Sequence, residues 1–259
     1  MRHVTTVSSR ELRSLFVSPV AYVVLSLFAA LSGLFFILNI AAFNLRVLQA
    51  QQFQAFEELQ QLNLNDHLLA YFFDSMGVIL LFVIPGITMG LFAAEKTNGT
   101  QELLMTSPLT IWDIVLGKFT AAAAFVTILV AMVAAFPGLL FVYGDPEFGK
   151  TASGILGLLL VGWTYAAIGA FASSVTRSQV VSFLIAFALL LGMLLLPAIT
   201  HLGVAGDVAG AVFRWISTGE HFQALIGGLV NTADLAYFAV AIGVFLMLTK
   251  AAVESVRWR

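Results

Sequence analysis

Long apolar runs separated by short polar breaks dominate the chain. They cover residues 19–43, 75–94, 119–143, 151–174, 179–200 and 231–249, each near the length of about 20 residues that an α-helix needs to cross the hydrocarbon core. The last is the shortest: Asp234 and Lys250 bracket its uncharged part, so it must borrow from its flanks or tilt little. The pattern predicts an all-α, polytopic membrane protein with six transmembrane helices, folded as a single transmembrane domain over residues 1–259. The first run is too long for a cleavable signal and is not closed by a small-residue cleavage site, so it is expected to stay as an anchor.

The intervening segments carry their own periodicity. Val4, Val7, Leu12, Leu15 and Phe16 fall near one helical face with Arg10, Arg13 and Ser14 on the other, which predicts a helix over 4–17 lying in the membrane interface. The Gln-rich stretch 44–70 places Leu45, Leu48, Phe56, Leu59 and Leu62 at mostly helical spacing without Pro or Gly, so the first span should extend above the membrane. Segment 201–234 is too long for a turn, too apolar for a solvated loop, and punctuated by Gly203, Gly206, Gly210, Gly219, Gly227 and Gly228. One or two short helices re-entering the outer leaflet are expected there, where buried irregular backbone is tolerated.

Composition narrows the function classes. Apolar residues make up 60% of the chain and charged residues 10%, against about 25% charged in a soluble domain. The absence of cysteine excludes disulfides, thiolate metal sites and thiol nucleophiles. Twelve Lys and Arg form no basic patch, so no nucleic-acid partner is expected. With the N-terminus inside, Arg2, Arg10, Arg13, Lys96, Lys118, Arg177, Lys250, Arg257 and Arg259 face the cytoplasm, and only Arg46, Lys150 and Arg214 face outward. That bias predicts that both termini are cytoplasmic.

One motif tests the reading. Gly144-Asp-Pro-Glu-Phe-Gly-Lys-Thr151 fits the phosphate-loop pattern G-x-x-x-x-G-K-[ST]. A working phosphate loop needs a strand before it and a helix after it, and here it joins two spans. Asp145 and Glu147 would repel phosphate, and Pro146 removes an N–H from the cradle. A tight outer turn is expected instead, and no nucleotide site in this chain.

The longest charged inner loop is the coupling-loop candidate, residues 95–118. Asn98-Gly99 marks a turn before the run Gln101-Glu102-Leu103-Leu104-Met105, which Pro108 ends. Thr100 is placed to cap this short helix, whose Leu103, Leu104 and Met105 a purely solvated loop would not need. Such a helix can dock a partner or pack on the chain's own face.

The string Ile84-Pro85-Gly86-Ile87-Thr88-Met89, with Leu91 to Glu95, Asn98-Gly99-Thr100, Glu102-Leu103-Leu104, Thr106-Ser107-Pro108 and Leu116-Gly117-Lys118-Phe119, resembles the signature of ABC-2-type permeases, the membrane subunits of ABC transporters. It is most similar to the subfamily that includes the gliding-motility-associated permease and the permease of nitrous oxide reductase maturation. The resemblance implies that the short cytoplasmic helix between spans 2 and 3 is a coupling helix docking on a separate ATPase subunit. Glu95, Gly99, Thr100, Glu102, Leu103, Leu104 and Pro108 become transmission residues, with Gly117 and Lys118 at the entry to the third span. Gly90 and Ala94 stand where the family pattern has a basic residue and a second acid, a departure that bears on any salt bridge at the loop's first end.

The same resemblance implies two permease copies and two ATPase copies in a bacterial inner membrane, with ATP and Mg held by the ATPase and no cofactor in this chain. An extracytoplasmic accessory protein is a further partner in some members, beside the surrounding membrane lipids. Gly86 and Gly90 form a small-xxx-small pair, a weak marker of the surface between permease copies. Two other classes fit the sequence less well. An ion-coupled secondary transporter needs ionisable groups at mid-membrane, and the six span interiors hold none; Asp74 and Asp234 sit at outer ends. An intramembrane enzyme would draw on His67, His201 and His221 near Asp66, Asp207 and Glu220, but none pairs at metal-ligand spacing on one helix. No catalytic or metal-binding residue is assigned.

Overall fold

The computed structural model of the protein describes residues 2–55, 57, 62–100, 109–201 and 207–255. Helix α1 (Arg2–Val17) gives way at Ser18 to α2 (Pro19–Gln52). Ser18 caps α2 by accepting the Val20 N–H, and Pro19 occupies the first turn, where its missing N–H costs nothing. Helix α2 outruns its apolar stretch, as the Gln-rich pattern predicts, but stops at Gln52 without Gly or Pro. Gln54 takes φ 53° and the Ala55 N–H bonds the Ala50 carbonyl at 2.9 Å, a left-handed turn that satisfies the final carbonyls. Phe56 and Leu59 of the expected extension lie outside the described residues.

A π-helical turn, Asn65–Leu69, leads into α3 (Ala70–Thr88), and after a break at Met89 the same span continues as α4 (Gly90–Thr97). Helix α5 (Ile111–Tyr143) begins two turns ahead of its apolar run. A capping box starts it there: Thr110 Oγ1 accepts the Asp113 N–H at 3.1 Å, and the Asp113 carboxylate accepts the Thr110 N–H at 3.1 Å. Then come α6 (Phe148–Val175), α7 (Gln179–His201), α8 (Asp207–Ile216), α9 (Thr218–Ile226) and α10 (Thr232–Ser255). No strand occurs among the described residues. Six helical stretches are long and apolar enough to cross a membrane, so the predicted all-α, six-span architecture holds. Within segment 201–234 the described residues include the short helices α8 and α9.

Helix α6 is the hub. In its most apolar stretch 67% of residues are buried, against 17% for α2 and α7 at the periphery. Small residues explain the difference, because each lets another helix close in. A Cβ on Gly154 would lie 2.5 Å from the Phe73 ring of α3, one on Gly157 2.9 Å from Leu225 of α9, and one on Gly162 2.5 Å from Val126 of α5. Near the break in the second span, Thr88 sits so close to Gly169 that a Cβ there would fall 2.0 Å from its hydroxyl.

The alternating spans return both ends of the described chain to one side of the bundle. Helix α1 packs along the start of α5, with Val7 against Gly117. The Lys250 ammonium, late in α10, lies 5.6 Å from the Trp112 ring centre at the start of α5. Loop 98–110 leaves from this same end, which carries the candidate site.

Candidate coupling site at the α1 end

Lys118 is the largest surprise. It sits in the second turn of α5 with its side chain only 1% exposed. A buried ammonium is tolerated only when charge and hydrogen bonds compensate it. Here Nζ donates to Glu95 Oε1 at 2.8 Å and to Glu11 Oε1 at 3.1 Å, and it lies 5.3 Å from the Phe92 ring centre. Glu95 comes from the last turn of α4 and Glu11 from the middle of α1. One cation therefore ties three elements: both helices that bracket the loop at 98–110, and the N-terminal helix. Despite Gly90 and Ala94, the loop's first end does carry a salt bridge, and its partner lies across the loop at Lys118.

The second span is held beside this triad by α6. Pro85 has removed one donor from the helical ladder, and the helix breaks at Met89. The Ser173 hydroxyl mends the break: it donates to the Met89 carbonyl at 2.8 Å and accepts the Phe92 and Ala93 N–H groups at 2.9 and 3.1 Å. Those N–H groups are orphans of the α4 start. One turn on, the Lys96 ammonium reaches the Ser174 carbonyl and the Thr97 hydroxyl reaches the Arg177 carbonyl, so α4 also closes the end of α6. Met89 itself keeps α-helical dihedrals, so α4 continues the course of α3 across the break and is pinned to its neighbours by polar bonds.

The family model for ABC-2 family transporter proteins matches residues 5–254. The chain belongs to the ABC-2 transporter family. It is thereby a permease subunit of an ABC transporter, a multi-pass membrane protein whose partner is an ABC ATPase subunit. No curated protein matches the chain.

The residues expected to transmit force divide into two sets. Glu102, Leu103, Leu104 and Pro108 of the permease lie outside the described residues, as does the short helix they would form. Glu95 and Lys118 meet in the triad. Gly99 takes φ 70° and the Thr100 N–H bonds the Glu95 carbonyl at 3.0 Å, so these two residues end α4 in a left-handed turn that favours glycine. Gly117 accommodates Val7: a Cβ there would come within 2.6 Å of that side chain. Within segment 95–118, residues 95–97 belong to α4 and residues 111–118 to α5. Beyond its own helix backbone, Gly86 has no atom of the described residues within 4 Å of where a Cβ would stand, and Gly90 has only Ala94, at 4.0 Å. Among the described residues no other helix packs over this face.

Glu11 was not among the expected site residues. Its signal was faint: an acid on a helix whose other polar residues near it are basic or hydroxylic, Arg10, Arg13 and Ser14.

At the opposite end of the permease, GDPEFGKT is a helix–turn–helix junction. Gly144 ends α5, and Lys150 and Thr151 lie in the first turn of α6. Glu147, Lys150 and Thr151 of the motif have local partners. Asn65 Oδ1 accepts the Glu147 N–H at 2.7 Å, while Asn65 Nδ2 donates to the Glu147 carbonyl at 3.1 Å and to Thr151 Oγ1 at 3.2 Å. Lys150 Nζ pairs with Asp66 at 3.2 Å.

Of the three histidines weighed there, His201 has no described side chain. His67 accepts a long backbone bond from Asn63 at 3.4 Å. His221 stacks on Tyr237 with ring centres 4.0 Å apart; its Nδ1 meets Asp234 Oδ1 at 2.6 Å, and Nε2 donates to the Trp215 carbonyl at 3.0 Å. The Tyr237 hydroxyl donates to the Ile216 carbonyl at 2.6 Å. These side chains satisfy the last carbonyls of α8 and tie it to α9 and α10. Among the described residues no group of three or more His, Asp or Glu could hold a metal ion.

Proposed function

We propose that this permease subunit turns the closure of two cytoplasmic ATPase subunits into movement of its spans, as half of a permease dimer in a bacterial inner membrane. The α1 end is its cytoplasmic face, α1 lies in the inner interface, and loop 98–110 carries the coupling helix into the ATPase. The observation that carries this reading is Lys118. Gripping the loop from below moves α4 and α5 together, because Glu95 and Lys118 lock the loop's two roots, and Glu11 adds α1 to the moving body. The break at Met89 gives that body a place to pivot against α3.

ATP and Mg2+ belong to the partner in this reading, and the engagement of Lys150 and Thr151 with Asp66 and Asn65 supports it. The work done is export or a mechanical pull on an extracytoplasmic accessory protein, as expected for the subfamily of gliding-motility and nitrous-oxide-reductase-maturation permeases. The lack of native cysteine makes the test clean. Tyr143→Cys, at a position 88% exposed at the far end, should label in intact cells with a membrane-impermeant thiol reagent. Ser9→Cys, on α1, should label only after permeabilisation. In vesicles containing permease and ATPase, the labelling rate at Tyr143→Cys should change on trapping the ATPase with vanadate. Glu95→Gln should reduce that change while the complex stays assembled. A full response in the Glu95→Gln complex would overturn the coupling role of the triad, and reversed labelling would overturn the orientation.

A further inference from the structure

The triad does not neutralise itself. Glu11 and Glu95 together carry two negative charges and Lys118 one positive charge, which leaves one carboxylate in excess. Each carboxylate spends Oε1 on Lys118. Each Oε2 has no partner among the described residues, and the two side chains keep 17% and 16% of their surface exposed. What they are exposed to is a groove of about 400 Å3, a volume within the roughly 300–1,000 Å3 of small-molecule sites. The excess charge is thus accessible and sits at one end of a cavity.

The opposite charge stands at the same groove. Arg10, one residue before Glu11, lines it, is exposed, and pairs with no carboxylate among the described residues. The hydroxyl of Ser14, one helical turn further along α1, and the amide of Gln179, at the start of α7, line it as well. Beside Ser18, the wall continues in apolar side chains: Val20 and Val24 from α2, Ile87 and Leu91 from either side of the Met89 break. Gly86 and Gly90 keep this part of the groove open, for no described side chain fills the space over Gly86. Exposed apolar side chains continue outward on α2 at Val23 and Leu27 and on α7 at Val180 and Leu184. The cavity therefore joins a separated negative and positive charge to an apolar channel that opens between two peripheral spans.

We infer that this groove binds an aminophospholipid of the inner leaflet. Its primary ammonium is held by the free oxygens of Glu11 and Glu95, its phosphate by Arg10, and one acyl chain runs over Gly86 between α2 and α7. A zwitterion matches both charges at once, whereas an anionic lipid would leave the excess carboxylate unpaired and face it with like charge. A quaternary ammonium offers no N–H to the carboxylates. The bound lipid completes the charge balance where α1 meets α4 and α5, so the lipid joins the moving body described above. The inference rests on α1 lying at the membrane surface.

The test is native mass spectrometry on the assembled permease–ATPase complex. The complex is delipidated in mild detergent and titrated with phosphatidylethanolamine, phosphatidylcholine or phosphatidylglycerol of identical acyl chains. One phosphatidylethanolamine per permease should be retained, about tenfold more tightly than either other lipid, the size expected for one charge-assisted contact. Arg10→Ala, at an exposed and unpaired position, should weaken it by a similar factor. Gly86→Leu should displace it with the copy number in the complex unchanged. Equal retention of the three lipids means annular lipid only, and a preference for phosphatidylglycerol means recognition of phosphate alone. Loss of lipid in Gly86→Leu together with loss of a permease copy means that a second copy covers the groove. Any of these three results overturns the proposal. The vanadate response at Tyr143→Cys is read in the complex with Arg10 and Gly86 intact, so failure of the lipid site and failure of the coupling reading are separately visible.

Discussion

The two ends of this permease hold their helices together in opposite ways. At the α1 end a single buried ammonium joins α1, α4 and α5, and its partners lie 107 and 23 residues away in sequence. At the far end Lys150 makes a comparable pair with Asp66, but the two side chains are 27% and 47% exposed. An exposed pair contributes little, because water screens it and its long side chain loses entropy. A buried one stands or falls as a unit, because removal of one partner strands the others. Around the Lys150–Asp66 pair the far end relies on neutral hydrogen bonds, such as Asn65 against Glu147 and Thr151 and the Ser153 hydroxyl on the Leu225 carbonyl, while the His221–Asp234 contact ties α9 to α10. What differs between the Lys118 cluster and the Lys150 pair is how much is lost when one group is taken away, and the buried cluster at the α1 end is the all-or-none one.

Removal of the central cation should give the largest effect. Lys118→Met leaves Glu11 and Glu95 facing each other without a counter-ion, and a loss of about 3–5 kcal/mol is expected for breaking such a buried cluster. Limited trypsinolysis reads it directly, since Arg10 and Arg13 on α1 should become cleavable when α1 lifts from α5. Unchanged resistance would mean that apolar packing, Val7 on Gly117 among it, holds α1 without the triad.

An intermediate effect is expected beside it. Ser173→Ala strands the Met89 carbonyl and two N–H groups at the start of α4, a cost of about 1–3 kcal/mol. Hydrogen exchange should show faster opening of the Phe92 and Ala93 amides while amides within α6 stay protected. Slower or unchanged exchange would make the Met89 break self-sufficient and remove Ser173 from the pivot.

The smallest effect belongs to the far end. Lys150→Ala should shift stability by less than about 1 kcal/mol, measured by thermal unfolding in detergent. A loss as large as that of Lys118→Met would erase the contrast between the two ends.

Much of the architecture was legible because lipid imposes a simple code. A helix must satisfy its own backbone in the hydrocarbon, so apolar runs of sufficient length can be counted. Local chemistry refined some edges: the Thr110–Asp113 capping box explains why α5 starts before its apolar run, and a sharper reading of T-x-x-D would have found it. Other edges left no such trace. Gln54 adopts the left-handed conformation that ends α2, a role for which the sequence offers no glycine. The break at Met89 is announced only by Pro85, whose cost in a helix interior does not say where the chain will divide.

The candidate site was half legible. Glu95, Gly117 and Lys118 could be placed from the motif they share with the family, but nothing local pointed to Glu11, or to Asp234 as the partner of His221. Sequence by itself determined that this chain spans a membrane with six helices, that its charges favour one face, and that it carries the ABC-2 pattern around residues 84–119, because hydropathy, charge asymmetry and motif spacing are properties of neighbours along the chain. Only the tertiary structure decided that Lys118 is buried, that Glu11 and Glu95 share it, that Ser173 mends the second span, and that Arg10 and an excess carboxylate face one groove. Those facts depend on which helices meet, and in an apolar solvent that choice is made by shape: the small residues of α6 let its neighbours approach, and the few polar groups at the bundle ends find partners wherever that packing brings them.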